Sequence, residues 1–155
     1  MAAAYIFYRI ISDRLHCRND FEIDFVEQKD IPNLYTINGF NNAIQYDIRH
    51  PRPDILAITA KKDDKIVAMA GASDDCEMLW QIGIDVLPDY RNKGLAATLT
   101  NRLAIEILKR GKIPYYGTAG SNVASQRVAH RAGFEIAWMC AYKGVFDGLP
   151  TSPTG

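Results

Sequence analysis

The chain has 155 residues, of which 48% are hydrophobic and 23% are charged, and its 18 basic and 18 acidic side chains give a formal net charge of zero. This size and composition are typical of one globular domain with its own core. The balanced charge argues against broad binding to nucleic acid, which depends on clustered lysines and arginines. No apolar run approaches the ~20 residues of a membrane span. We therefore expect neither a nucleic-acid nor a membrane partner.

The cysteine and histidine residues give no sign of a metal or redox centre. They are scattered along the chain as Cys17, Cys76, Cys140, His16, His50 and His130. Zinc and redox motifs need closely spaced ligands or thiols. The sequence also has no Gly-x-Gly-x-x-Gly, so a dinucleotide site is not indicated. We predict reduced thiols, no bound metal and a cytoplasmic location, since no secretory signal is evident.

The first elements in chain order are two strands and two short helices. Residues 5–11 are aromatic and β-branched, and residues 21–26 alternate apolar and acidic side chains, so each run predicts a strand. Asp30 is a plausible N-cap for a short helix with Pro32 in its first turn. A second short helix is predicted over 41–48.

A β-hairpin and a third strand follow. Residues 54–60 and 65–71 are rich in apolar side chains and are joined by the charged turn 61–64, which predicts a hairpin. Residues 78–86 alternate apolar and polar or small side chains, which predicts a half-buried strand.

The longest predicted helix covers residues 94–110. Its apolar stripe repeats every four residues, at Leu95, Leu99, Leu103 and Ile107. This spacing places one face of the helix against a core. Lys109 and Arg110 suit the negative C-terminal end of the helix, and Gly111 suits the residue that follows it.

The last elements are a strand, a helix and a closing strand. Residues 113–118 predict a short strand, and Ser121 or Asn122 caps a helix that runs to Gly133. Its inward side chains are expected to be Ala124, Val128 and Ala132. Residues 134–142 predict the closing strand.

Strands and helices thus alternate, which predicts a mixed α/β fold. We expect one domain over residues 1–148, with an extra N-terminal strand-like segment over 1–20. Residues 149–155 have no periodicity and are expected to form a flexible tail.

The segment 86–96 has the features of an anion-binding turn. A strand ends there and a long helix begins near Gly94, and the N-terminus of a helix offers about four unpaired N–H groups. Glycine allows a ligand to approach the backbone, and Ala96 keeps the next turn open. Arg91 and Lys93 add positive charge. An ordinary strand-to-helix turn with solvated cations remains an equally simple interpretation of these residues alone.

The same segment resembles a known family motif. Arg91-x-x-Gly94-x-Ala96, following a strand and opening the longest helix, is similar to the pyrophosphate-binding motif Arg/Gln-x-x-Gly-x-Gly/Ala of the GNAT superfamily of N-acetyltransferases. A second block, from Asn122 at a helix start to Gly133-Phe134 at the next strand, resembles the later motif of that family. The resemblance covers most of the chain.

The resemblance implies a GNAT-like mixed, mostly antiparallel central sheet, splayed at its middle and flanked by about four helices. It implies acetyl-CoA as cosubstrate, with the pantetheine arm in the splay and the pyrophosphate at the turn. The residues that would contact the coenzyme are Ile84, Asp85, Val86, Arg91, Asn92, Lys93, Gly94, Leu95, Ala96 and Asn122. Asn122 also suits a plain helix cap.

The sequence departs from the family pattern at the usual proton donor. Similar proteins often have a tyrosine seven residues after the asparagine, where this chain has Ala129. His130 is adjacent, but neighbouring residues on a helix point about 100° apart. Glu77 and Asp85 are the acidic residues near the strand that sometimes carries a base. The catalytic residues are therefore left unassigned.

The tyrosine pair Tyr115 and Tyr116 lies on the strand next to the expected splay. These side chains could line an acceptor pocket, although packing in the core or at an edge is the simpler interpretation.

The resemblance favours transfer of an acetyl group from acetyl-CoA to a primary amine of a small molecule or peptide, by direct attack in a ternary complex. The alternative is a catalytically weak acyl-CoA-binding module or sensor. A third interpretation is that the chain forms one part of a longer acyltransferase. Only one strand follows Gly133-Phe134 where similar proteins often have two, so a homodimer that shares strands would complete the sheet.

Overall fold

A seven-stranded sheet forms the centre of the described part of the chain, which is residues 2–7 and 20–141 of a computed structural model. The strands are β1 (Ala2–Phe7), β2 (Glu22–Glu27), β3 (Asp54–Lys62), β4 (Lys65–Asp74), β5 (Leu79–Val86), β6 (Ile113–Ala119) and β7 (Phe134–Cys140). Their order is β2-β3-β4-β5-β6-β1-β7, and only β5 and β6 are parallel neighbours. The expected mixed, mostly antiparallel sheet is confirmed.

Four helical elements accompany the sheet in the described residues. They are the 3-10 helices Gln28–Thr36 and Pro88–Tyr90 and the α-helices α1 (Leu95–Lys109) and α2 (Val123–Arg131). This agrees with the expectation of about four helices. None of them has the length and apolar character needed to cross a membrane.

The N-terminal strand lies inside the sheet. β1 pairs antiparallel with β6 on one side and with β7 on the other, so that Ala4 is aligned with both Gly117 and Trp138. The sequence predicted this strand over 5–11, and residues 8–11 lie outside the described part. β1 therefore connects β7 to the rest of the sheet within one chain.

The sheet splays between β5 and β6. The two strands pair only from Leu79 and Ile113 to Gln81 and Tyr115, although β5 continues to Val86 and β6 to Ala119. The unpaired halves line a common cavity. The predicted splay at the middle of the sheet is therefore confirmed, and it opens immediately after the Gln81–Tyr115 pair.

Helix α1 packs its predicted apolar stripe against the sheet. Leu95, Leu99, Leu103 and Ile107 are each at most 1% exposed. Burying side chains of this size stabilises a fold by about 2 kcal/mol each. Their contacts with the apolar side chains of β3, β4 and β5 fix the start of α1 close to the end of β5.

The segment between β2 and β3 is less helical than the sequence predicts. Residues 41–48 form turns, so the prediction of a second short helix there is wrong. The preceding helix is a 3-10 helix, and Asp30 is not its N-cap. The reason is tertiary packing. Backbone around Asn42 and Ala43 lies against the sheet and bonds to Asp85, which gives its N–H groups partners outside a helix.

Helix α2 begins at Asn122 as predicted, but its buried face differs. Ala129 and Ala132 are fully buried, Val128 is half-buried and Ala124 is exposed. The expectation that Ala124 points into the core is therefore wrong. The first turn of α2 instead borders the cavity, which Ala124 and Val128 both line.

Candidate functional site

One large cavity connects the start of α1, the splay and the segment 41–45. Its volume is about 980 Å³, and it is lined by β5, β6, both α-helices and that segment. Nine of the ten residues that the resemblance assigned to the coenzyme line it, and Lys93 does not. A single cavity therefore joins the predicted anion-binding turn to the gap in the sheet.

The turn before α1 presents unpaired backbone N–H groups to this cavity. Gly94 is the N-cap, with the left-handed φ of 83°, and no side chain caps the helix. Among the described residues, no acceptor bonds the N–H groups of Leu95, Ala96 or Ala97, whereas Thr98 bonds the carbonyl of Gly94. The helix dipole adds roughly half a positive charge at this end. These groups suit a phosphate or pyrophosphate.

The two cations of the turn are held by its backbone. The Arg91 Nε atom donates to the carbonyl of Val86 at 3.1 Å. The Lys93 ammonium donates to the carbonyl of Asp89 at 3.0 Å and lies 4.9 Å from the centre of the Tyr90 ring. Both residues are exposed. They raise the local positive potential and brace the turn.

Asp85, at the end of β5, has a structural partner that the sequence did not reveal. Its carboxylate accepts hydrogen bonds from the Asn42 backbone N–H at 2.7 Å, the Asn42 side-chain amide at 2.6 Å and the Ala43 N–H at 3.0 Å. Both carboxylate oxygens are therefore engaged. This arrangement argues against Asp85 as a free general base and gives it the role of anchoring the wall of the cavity.

Two glycines let that wall approach the sheet. Gly71 and Gly83 are directly paired on β4 and β5. A Cβ on Gly71 would lie 1.9 Å from the Ala43 carbonyl oxygen, and one on Gly83 would lie 1.7 Å from that of Asn42. Real Cβ atoms do not approach this closely. Glycine at both positions is thus required for the observed position of residues 41–45, which we call the acceptor-side loop.

The other wall is formed by α2 and β6. The Asn122 side chain accepts a hydrogen bond from the Ser125 N–H at 3.0 Å, so it is a helix cap as well as a cavity residue. The Tyr116 hydroxyl lies 2.7 Å from Ser125 Oγ, and its ring packs edge-on against Phe134. Burial raises the pKa of Tyr116. Its hydroxyl therefore keeps its proton at neutral pH.

Tyr115 points to the opposite face of the sheet. Its hydroxyl donates to the carboxylate of Asp75 and to Gln81 Oε1, the latter at 3.2 Å, and its ring lies near Trp138. Burial, together with the hydrogen bond to Asp75, raises the pKa of Tyr115. Tyr115 packs in a hydrogen-bonded network beside the splay, whereas Tyr116 lines the cavity.

The other acid–base candidates lie away from the cavity. Glu77 is exposed and offers its backbone carbonyl to the Lys112 ammonium at 2.6 Å. His130 is exposed on α2. Ala129 is buried, and its methyl side chain cannot act as a proton donor. Neither Glu77 nor His130 is among the cavity-lining residues.

Sequence reasoning gave no individual role to several residues that line the cavity. They are Asn41, Gln45, Asp54, Ser73, Ser125, Arg127 and Arg131. Arg127 and Arg131 are one helical turn apart, and that spacing could have placed both on one face of α2 beside the predicted Asn122. Asp54 and Ser73 carry no motif, and only the pairing of β3 with β4 brings them to the site.

Comparison with known sequences decides the family. A sequence profile described as GNAT acetyltransferase matches residues 56–142, more than half of the chain. The chain belongs to the GNAT acetyltransferase family. No match was found among curated proteins.

Solved structures share the fold at low sequence identity. A GCN5-related N-acetyltransferase-like protein from Streptococcus suis 89/1591 is 17% identical with a TM-score of 0.63, over 89% of this chain and 59% of that one. The aminoglycoside N-acetyltransferase AAC(6')-Iy, solved with CoA, is 18% identical with a TM-score of 0.56. The match covers 80% of this chain and 94% of that one. YncA, a putative acetyltransferase of Salmonella typhimurium solved with acetyl-CoA, is 20% identical with a TM-score of 0.58. The match covers 84% of this chain and 88% of that one.

These structural matches establish the GNAT fold. The chain spans only about three fifths of the length of the Streptococcus protein. In the described part of the chain, no group of three or more His, Cys, Asp and Glu side chains could hold a metal ion.

Proposed function

We propose that the protein transfers an acetyl group from acetyl-CoA to a primary amine, by direct attack in a ternary complex. The observation that carries the proposal is the continuous cavity from the unpaired amides at the start of α1, along the splay, to the acceptor-side loop. A site of this form can hold an elongated molecule with a phosphate group at one end. Acetyl-CoA supplies such a molecule together with a reactive thioester.

The start of α1 would hold the pyrophosphate. Leu95, Ala96 and Ala97 line the cavity and their N–H groups have no acceptor among the described residues, and Arg91 adds a positive charge beside them. The Arg127 and Arg131 side chains on α2 extend the positive region. The backbone of Ile84, Asp85 and Val86 would bond the amides of the pantetheine arm, and Asn122 would contact the arm from α2.

The reacting end would lie near the closed end of the splay, beside Gln81 and Tyr116. β5 runs about 13 Å from Gln81 to Asp85, which is roughly the length of strand an extended arm would follow. There the acceptor nitrogen attacks the thioester carbonyl carbon, the carbon–sulfur bond breaks, and the proton lost by the amine passes to the departing thiolate. Positioning the amine supplies much of the rate.

We assign proton donation to the Tyr116 hydroxyl, which would give its proton to the departing thiolate and regain one from the attacking amine. It lines the cavity, it is bonded to Ser125 on α2, and its raised pKa keeps it protonated at neutral pH. Its partner Ser125 lies one helical turn before Ala129, the position at which similar proteins often have a tyrosine. The hydroxyl would thus come from β6 instead of from α2.

Release of free CoA thiol in the presence of a panel of primary amines tests the function. We expect amine-dependent thiol release that stops when acetyl-CoA is replaced by CoA. Binding of acetyl-CoA without turnover on any amine would favour the acyl-CoA-binding module instead. Failure of the folded protein to bind acetyl-CoA would contradict both functions.

A further inference from the structure

A row of polar side chains crosses the sheet at the closed end of the splay. Asp54, Ser73, Gln81 and Tyr115 are directly paired neighbours on β3, β4, β5 and β6. They share the face that the acceptor-side loop covers, and the first three line the cavity. The row therefore forms a polar path from β3 to the place where the sheet opens.

Asp54 is the charged group at the far end of this row. It is only 5% exposed, yet it lines the cavity. Its Oδ2 atom accepts hydrogen bonds from the Tyr35 hydroxyl at 2.8 Å and from the Gln45 N–H at 2.9 Å. No donor among the described residues bonds its Oδ1 atom. Burial raises the pKa of Asp54, and the two hydrogen bonds oppose that effect.

No lysine or arginine of the described chain pairs with this carboxylate, and the nearby His50 lowers its pKa without bonding to it. Arg52, two residues away in sequence, pairs with Asp75 at 3.2 Å. The His50 ring is bonded through Nδ1 to the backbone of Arg52. A buried carboxylate with one unbonded oxygen is costly unless a cation approaches it. The cavity gives such a cation access from one side.

The distance between β3 and β5 limits which cation can bind Asp54. β3 lies two strands from β5, a separation of about 10 Å. An amine that attacks a thioester in the splay is therefore too far from Asp54 to give its proton to this carboxylate. A second ammonium on the same acceptor can reach it along the row.

We propose that the cavity takes an acceptor with two amines, in which the Asp54 carboxylate binds one as an ammonium while the other enters the splay. The acceptor class is an aliphatic diamine or polyamine. Ser73 and Gln81 supply polar contacts along the path, and the acceptor-side loop covers it. This inference rests on the proposed function, because it assigns the acceptor half of the same cavity.

Calorimetric titration of amines into the full chain, saturated with CoA, tests the proposal without turnover. The probes are putrescine, cadaverine and hexamethylenediamine, with the monoamine n-butylamine as reference. We expect at least one diamine to bind about tenfold more tightly than n-butylamine, and Asp54→Asn to remove that preference. Asp47→Asn, which changes the same charge at an exposed position outside the cavity, should preserve it.

A second variant separates binding from structure. Tyr35→Phe removes one donor to Asp54 but keeps the carboxylate, so the diamine preference should survive in it. The proposal would be overturned if diamines and n-butylamine bind equally, or if no amine binds. It would also be overturned if Asp54→Asn and Asp47→Asn lose the diamine preference equally. A separate titration of acetyl-CoA reports on the proposed function, so a diamine failure with intact coenzyme binding refutes this inference alone.

Discussion

The close contact between Gly83 and the acceptor-side loop predicts a large effect of adding one methyl group. In Gly83→Ala the new Cβ would lie 1.7 Å from the Asn42 carbonyl oxygen, whereas ordinary contact begins near 3.4 Å. The loop must therefore withdraw by about 1.7 Å. That movement breaks the three hydrogen bonds that Asn42 and Ala43 donate to Asp85.

The expected loss follows from these two effects. Forcing a methyl group into a packed site costs about 1–3 kcal/mol. Each of the three hydrogen bonds to the half-exposed Asp85 contributes about 1 kcal/mol. We expect the free energy of unfolding to fall by about 4–6 kcal/mol, which lowers the Tm of a chain of this size by roughly 10–20 °C.

Thermal and urea unfolding followed by circular dichroism measure this loss, and Gly111→Ala is the matched control. Gly111 has a φ of 74° but no atom within 4 Å of an added Cβ, so its substitution tests backbone strain without a clash. We expect it to cost about 1 kcal/mol. If Gly83→Ala destabilises the protein no more than Gly111→Ala does, the packing of the loop against the sheet is wrong.

Three further predictions concern single side chains. Tyr116→Phe should reduce kcat for thiol release more than it changes KM. The loss of the hydrogen bond to Ser125 should also lower the free energy of unfolding by about 1 kcal/mol. An unchanged kcat would contradict the assigned proton donor. Arg91→Ala should weaken acetyl-CoA binding in calorimetry, and the difference from the parent should shrink at high salt; a difference independent of salt would argue against a charge effect. Glu27→Gln removes the exposed pair with Arg110 and should cost less than about 1 kcal/mol. Hydrogen bonding from Arg110 lowers the pKa of Glu27, so this stabilisation is present above the unfolded pKa of Glu27 and is lost as the pH falls through the lowered value. The unfolding curves of parent and variant should therefore converge in acid, and a gap that widens in acid would refute this.

Local sequence pattern was sufficient to predict the elements that form the proposed coenzyme half of the site. The four-residue repeat of leucine and isoleucine predicted α1, because this spacing places the repeated side chains on one face of a helix. The left-handed Gly94 and the cap at Asn122 follow from residue types that favour those backbone positions.

The proposed acceptor half depends on contacts between distant parts of the chain, which local pattern does not record. The segment 41–48 has helix-compatible residues, but Gly71 and Gly83 let its backbone lie on the sheet, and Asp85 bonds its N–H groups. Asp54 reaches the cavity only because β3 pairs with β4. Likewise, nothing in the composition of β1 indicates that it lies between β6 and β7.

The central claim is that the start of α1 binds the pyrophosphate of acetyl-CoA, and calorimetric titration of acetyl-CoA into Gly94→Asp and Gly94→Asn tests it most directly. Aspartate and asparagine have the same shape, and both tolerate the left-handed φ of 83° better than other side chains. They differ by one negative charge at the proposed phosphate position. We predict micromolar binding to the parent protein and at least about tenfold weaker binding to Gly94→Asp than to Gly94→Asn. Equal affinities of the two folded variants, or no binding by the parent, would contradict the account.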